Sequence, residues 1–172
     1  NPRNSRNAHR LKHTVRYIDD IASFWSPALR EVHTDIYPAS LPLTFNEGTG
    51  IANYLDLSIN PLTCRTTVYD KRRDFNFDVI RLPEKSSNQP GRFGTETFFS
   101  QAIRIARITQ SEEEFKKNFT IIVDIMRLRG YTRFEVHTST KKLFRQYRML
   151  LYRSEIRKFK TLETLIHDRF SP

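Results

Sequence analysis

The sequence predicts an α+β protein, an antiparallel hairpin and meander with one helix, followed by a helical bundle. Two features carry that expectation. Up to about residue 82, short apolar-polar alternations are separated by turn-forming residues, the pattern of half-buried strands. Beyond a Pro-, Gly- and Ser-rich stretch at 83–95 the apolar period lengthens to that of helices. Charge follows the same division. The 172 residues hold 29 Lys+Arg against 19 Asp+Glu, a net +10. Residues 1–86 account for twelve cations and ten anions, residues 87–172 for seventeen and nine.

These bulk properties exclude several classes. With 38% hydrophobic and 12% aromatic residues the chain can bury a real core. It has no apolar run of about 18 residues, so no membrane span is expected. The basic, polar start has no apolar segment after it, so no signal peptide is expected. Cys64 stands alone, which leaves no intrachain disulfide or thiolate cage and fits a reducing compartment. The five histidines lack metal-ligand spacing. An excess of +10 favours an anionic partner, and nucleic acid is the usual one.

Taken in order, residues 1–13, NPRNSRNAHRLKH, form a basic arm with Arg3, Arg6, Arg10 and Lys12. Such an arm is disordered alone, and a polyanionic partner would hold it in place. Residues 14–82 make the αβ part. Its first element, HTVRYIDDIASFW, reads as a hairpin that turns at Asp19-Asp20. SPALREVHTDIY then reads as a helix, with Ser26 as cap, Pro27 in the first turn, and Leu29, Val32, His33 and Ile36 on one face; Pro38 ends it. LPLTFNE, IANYLDLSI and CRTTVYDK read as three strands, separated by turns at Gly48-Thr49-Gly50 and Asn60-Pro61.

Residues 83–95 look like a linker, and 96–172 form the helical part. A first helix over about 96–109 places Phe99, Ala102, Ile103 and Ala106 on one side, and Arg104 and Arg107 toward another. The second opens on Ser111-Glu112-Glu113-Glu114, a capping box whose carboxylates suit the positive end of a helix. Phe115, Phe119, Ile122 and Met126 are its stripe, and Gly130 is its left-handed stop. A third helix is expected from Thr138 to about 168, with Lys141, Arg145 and Arg148 on a basic face and Leu143, Tyr147 and Leu150 on an apolar one.

The acidic pair raises a chemical question. Adjacent carboxylates repel, and burial costs several kcal/mol without a counter-charge. A tight turn relieves this, since turns favour solvated Asp. A rigid carboxylate pair is also what Mg²⁺ takes, as a hard cation binding oxygen ligands.

RYIDD resembles the YxDD palm motif of reverse transcriptases. NYLDLSI resembles the downstream FLDL strand of retroelement enzymes, and TTVYDKRR the VYRK strand after it. SSNQP and FSQAIRIARITQSEEEF…LRGY are similar to the start of the thumb in Penelope-like elements. The ordered likeness runs from Thr14 to about Tyr131. It implies a partial polymerase palm followed by a helical thumb that grips RNA or an RNA/DNA hybrid.

Position by position, the resemblance makes Asp19 and Asp20 the metal-binding, catalytic carboxylates if the chain is active, with Asp19 the main ligand and Mg²⁺ the cofactor. Tyr17, Lys71, Arg72 and Arg73 would lie along the nucleic acid. Arg104, Arg107, Lys141, Arg145 and Arg148 would meet its phosphates, although each basic group could equally be a solvated face. A reverse transcriptase needs a further Asp and fingers ahead of YxDD, where this sequence offers thirteen residues. The expectation is an RNA-binding fragment, non-catalytic alone, working with other protein chains in a ribonucleoprotein such as an organellar ribosome. The alternative is part of a split RNA-directed DNA polymerase completed by a second chain. Mitochondrion and nucleus both fit.

Overall fold

Strands of four residues flank the acidic turn, and their register follows from its two-residue loop. The computed structural model describes residues 8–24, 26–45, 50–77, 79 and 82–171, and the chain is α+β as expected. It divides into two units, 1–49 and 50–172. In the first, β1 (Thr14–Tyr17) pairs antiparallel with β2 (Asp20–Ser23), setting Thr14 opposite Ser23 and Tyr17 opposite Asp20. The two hydroxyls at the open end, Thr14 Oγ1 and Ser23 Oγ, lie 3.0 Å apart and share a hydrogen bond.

The helix α1 (Ala28–Ile36) starts where Ser26 and Pro27 predict. Ser26 Oγ accepts a hydrogen bond from the Ala28 amide at 3.2 Å, satisfying one of the orphan donors of the first turn. Ala28, Leu29 and Val32 are the unit's only buried apolar side chains among the described residues. Ile36, expected on the same face, is exposed. His33 meets Phe45 edge-on at 5.1 Å, and Arg30 lies over the same ring at 5.3 Å.

The second unit begins with a three-stranded antiparallel sheet, β3 (Ala52–Tyr54), β4 (Leu57–Asn60) and β5 (Arg65–Val68), in that order. The expected strand boundaries need correcting. Residues 41–45 of LPLTFNE lie outside any strand, and Asn46 and Glu47 lie outside the described residues. IANYLDLSI is not one strand but two. It reverses at Leu55-Asp56, with Leu55 at φ 55° and Tyr54 paired to Leu57. An aliphatic residue in the left-handed region gives no sequence cue, because glycine and asparagine are the usual occupants. After β5, Asp70 accepts the Arg72 amide and caps a 3₁₀ turn, Lys71–Asp74.

Helix α2 (Phe93–Ile108) begins three residues before its expected start. Helix α3 (Glu112–Leu128) matches closely, with Gly130 at φ 82° beyond its end. Only half of its predicted capping box forms. Ser111 Oγ accepts the Glu114 amide, whereas the Glu114 carboxylate accepts from Thr67 at 3.3 Å. The complete box stands one helix later, where Thr132 and Glu135 bond reciprocally at the start of α4 (Arg133–Gln146).

The single long third helix is a correction too. It is three helices, α4, α5 (Arg148–Arg153) and α6 (Phe159–Phe170). The break at 154–158 has a physical cause. Ser154 is fully buried and donates its hydroxyl to Thr109 O at 2.7 Å, while Ile156 sinks into the core and Glu155 takes φ 63°.

One core joins these helices: Phe98, Ala102 and Ile105 from α2, Phe115, Phe119 and Met126 from α3, with Val136, Leu143, Leu151, Leu162 and Ile166 from the rest. Phe119 stacks on Phe115 at 5.6 Å and meets Phe98 edge-on at 5.9 Å. The sheet is fastened to the helices through β5. Thr66 Oγ1 donates to Ile108 O at 2.6 Å, and Asn118 donates to Thr67 Oγ1 at 3.1 Å.

The Pro/Gly/Ser-rich segment is anchored at its start. Leu82 is buried in the core, the Lys85 amide donates to Arg129 O at 2.9 Å, and Lys85 Nζ pairs with Glu135 at 2.8 Å. Burial draws the Glu135 carboxyl upward, but Lys85 and the Thr132 amide and hydroxyl outweigh it and hold the group below its ordinary range. Gly94 has a separate reason to lack a side chain: a Cβ there would lie 1.8 Å from Tyr131 Oη.

Candidate nucleic-acid interface and carboxylate pair

The hairpin presents its carboxylates at the apex, as the sequence predicts. Ile18 and Asp19 are the turn, and Asp20 opens β2 opposite Tyr17. Ile18 takes φ 53°, a sterically costly conformation for a β-branched residue. Arg16 braces the turn by donating from Nε to Ile18 O at 2.8 Å. Tyr17, Asp19 and Asp20 are all exposed, and neither aspartate has an ion pair among the described residues.

Mg²⁺, which the reverse-transcriptase resemblance implies, would find two oxygen-bearing side chains here. Among the described residues no group of three His, Cys, Asp or Glu converges as a metal site. Asp19 and Asp20 therefore do not complete a magnesium site within the described residues.

The predicted cationic residues divide into two kinds. Some are occupied internally. Arg72 Nε pairs with Asp70 at 2.8 Å, and Arg73 donates to Asn118 Oδ1 at 3.1 Å. Arg104 Nε pairs with Asp56 at 2.8 Å and reaches the carbonyl of Tyr69. Arg73, though exposed, ties the 3₁₀ turn to α3, Arg104 ties α2 to the β3–β4 turn and to Tyr69, and the Arg72 pair closes on the 3₁₀ turn itself.

The others face solvent. Lys71, Arg107, Lys141, Arg145 and Arg148 are exposed. Lys141 and Arg145 share one shallow depression of about 260 Å³, lined also by Thr138, Lys142 and Gln146. Arg148 sits across the break between α4 and α5 rather than on the same helix. Its guanidinium lies over the Phe144 and Tyr152 rings at 5.8 and 5.2 Å, so it is held in place while still charged. Of the arm, Arg10 pairs with Glu31, Lys12 is exposed, and Arg3 and Arg6 lie outside the described residues.

Several functional candidates escape a residue-by-residue reading of the sequence. Thr138, Lys142 and Gln146 complete the depression, although Lys142 also pairs with Glu96 at 3.2 Å. More telling is a window of composition. Residues 136–162 contain eight Lys+Arg and one acid, Glu155. Arg153, Arg157, Lys158 and Lys160 in that window are exposed. A charge count over this window finds them; helical periodicity, applied across a broken helix, does not.

No helix among the described residues is long and apolar enough to cross a membrane. Comparison with protein-family models, with curated proteins and with solved structures finds no match for the chain.

Proposed function

We propose that this chain is a reverse-transcriptase-like palm and thumb fragment that binds RNA or an RNA-containing duplex, is non-catalytic by itself, and acts beside other chains in a larger ribonucleoprotein. One observation supports the binding part of this reading above all. A net +7 is concentrated in the 27 residues 136–162 of α4 to α6, and all eight cations there are solvent-exposed. Phosphate backbones are the polyanions such surfaces attract, through release of condensed counterions. Support for the ancestry is narrower: the ordered motifs, and Asp19 and Asp20 at a hairpin apex.

The reading is tested by salt. RNA affinity of the whole chain should fall steeply between about 50 and 200 mM salt. Replacing Lys141, Arg145 and Arg148 by Ala should lower the log–log slope by about one unit for each phosphate that is no longer neutralised. Salt-independent affinity, or an unchanged slope in the triple variant, would overturn it.

A second reading is favoured by the solvent-facing carboxylates of the first hairpin, which have no ion pair among the described residues. In it the chain supplies YIDD to a split RNA-directed DNA polymerase, with the remaining metal ligand coming from another polypeptide. Primer extension in Mg²⁺ with that second polypeptide, abolished by Asp19→Asn, is the outcome this reading requires.

A further inference from the structure

We infer that Phe75 and Phe77 form a stacking platform for unpaired bases of the bound RNA, an inference that rests on the RNA-binding reading above. The two rings stack with centroids 5.2 Å apart and planes 24° from parallel. Both are exposed, 48% and 63%. Leaving a Phe side chain in water forgoes the free energy of burying it. A single exposed aromatic is ordinary. Two rings that stack on each other and still remain this exposed offer their outer π-faces to solvent.

The turn that precedes the pair is held by several polar contacts. Asp70 caps the 3₁₀ turn just before it and clamps Arg72. Arg73 ties the same turn to Asn118 of α3. Tyr69 donates its hydroxyl to Asp74, which engages that carboxylate and raises the phenol pKa. Asp70 and Asp74 are thus both occupied, whereas Lys71 is exposed with no ion pair among the described residues.

Charge and size choose the occupant. In sequence the rings follow the cations Lys71, Arg72 and Arg73 and alternate with Asp74, Asn76 and Asp78, so polar residues flank each ring along the chain. A protein interface needs about 800 Å² per partner with an apolar centre, far more than two rings present. A nucleobase needs one flat π-face and a cation near its phosphate, and every base has such a face. Base-paired RNA hides those faces within its own stack, so the platform selects unpaired nucleotides.

The test compares a short oligouridine with a blunt RNA duplex of equal length, each titrated with the full chain by fluorescence anisotropy. Replacing both rings (F75L/F77L) should weaken oligouridine binding about 5- to 150-fold for one stacked base. Duplex affinity and the salt slope should stay unchanged, and Phe77→Tyr should bind like the parent. Unchanged oligouridine affinity, or an equal loss on both RNAs, overturns the platform while leaving the RNA-binding reading intact. If the parent binds neither RNA, the RNA-binding reading itself fails, and the platform with it. Self-association abolished by F75L/F77L with RNA binding unaltered assigns the rings to a protein interface and also overturns the inference.

Discussion

At Tyr17-Ile18-Asp19-Asp20, and again at Tyr54-Leu55-Asp56-Leu57, the chain reverses through an aliphatic residue at positive φ followed by an aspartate. The local chemistry is the same and the surroundings are opposite. Asp56 has a resident cation, Arg104, and its carbonyl accepts the Tyr69 amide at 2.9 Å. Among the described residues the first turn is braced only from its own strand, by Arg16, and neither of its aspartates pairs with a cation. A Tyr-aliphatic-Asp run is therefore a way of building a turn, and by itself says nothing of catalysis. What sets the first turn apart is its second carboxylate and its exposure to outside cations.

The largest effect that would sharpen this contrast lies beneath the turns. Among the described residues the second unit stands on a deep core and the first on three buried apolar side chains. Phe119→Ala should cost about 3–5 kcal/mol of unfolding free energy, measured by chemical denaturation. Leu29→Ala, at 9% exposure in a thin core, should fall at or below the low end of the usual range, about 2 kcal/mol. Equal losses would mean that the first unit has support beyond its described residues.

Next comes the resident cation. Arg104→Ala removes a pair that is partly screened by water, since the Asp56 side chain is 47% exposed. It also removes a bond to Tyr69 O, and together these should cost about 1 kcal/mol. Asp19→Asn and Asp20→Asn should change stability by less than about 0.5 kcal/mol, as surface substitutions do. A large loss from either, in the same denaturation assay, would reveal an internal partner and show that this turn is not open.

The smallest effect concerns backbone strain. Ile18→Gly relieves a conformation that costs an L-residue about 1–2 kcal/mol, less about 0.5–1 kcal/mol of added chain entropy. A net gain of roughly half a kcal/mol is expected, because Ile18 is 72% exposed and loses little burial. Leu55→Gly should gain less, since Leu55 is 40% exposed and gives up more apolar packing. A destabilised Ile18→Gly would show that the isoleucine side chain holds the first turn by packing.

Local signals account for what is legible in the sequence. The first hairpin, the start of α1 and both ends of α3 can be read, because Asp at a turn, Ser before a helix and Gly after one act within a few residues. The second hairpin is hidden because its single Asp56 sits inside an unbroken apolar-polar alternation that reads as one strand, whereas the first turn is marked by two adjacent aspartates. The helix break is hidden because its cause, the Ser154 bond to Thr109, spans 45 residues. Arg104 looks like a phosphate ligand for the same reason: its partner, Asp56, lies 48 residues away. The Thr132–Glu135 box is readable in principle, but a helix start placed at Thr138 passes over it.

The anchoring of Leu82 and Lys85 has a consequence for how this chain could have changed over time. A stretch so rich in Pro, Gly and Ser would ordinarily be free to lengthen, since loop closure costs little per added residue. Here an extra residue between 82 and 85 would pull either the leucine from the core or the lysine from Glu135 and the Arg129 carbonyl. Growth and shrinkage are therefore expected in the exposed residues 86–92, while 82–85 are held in length from both ends.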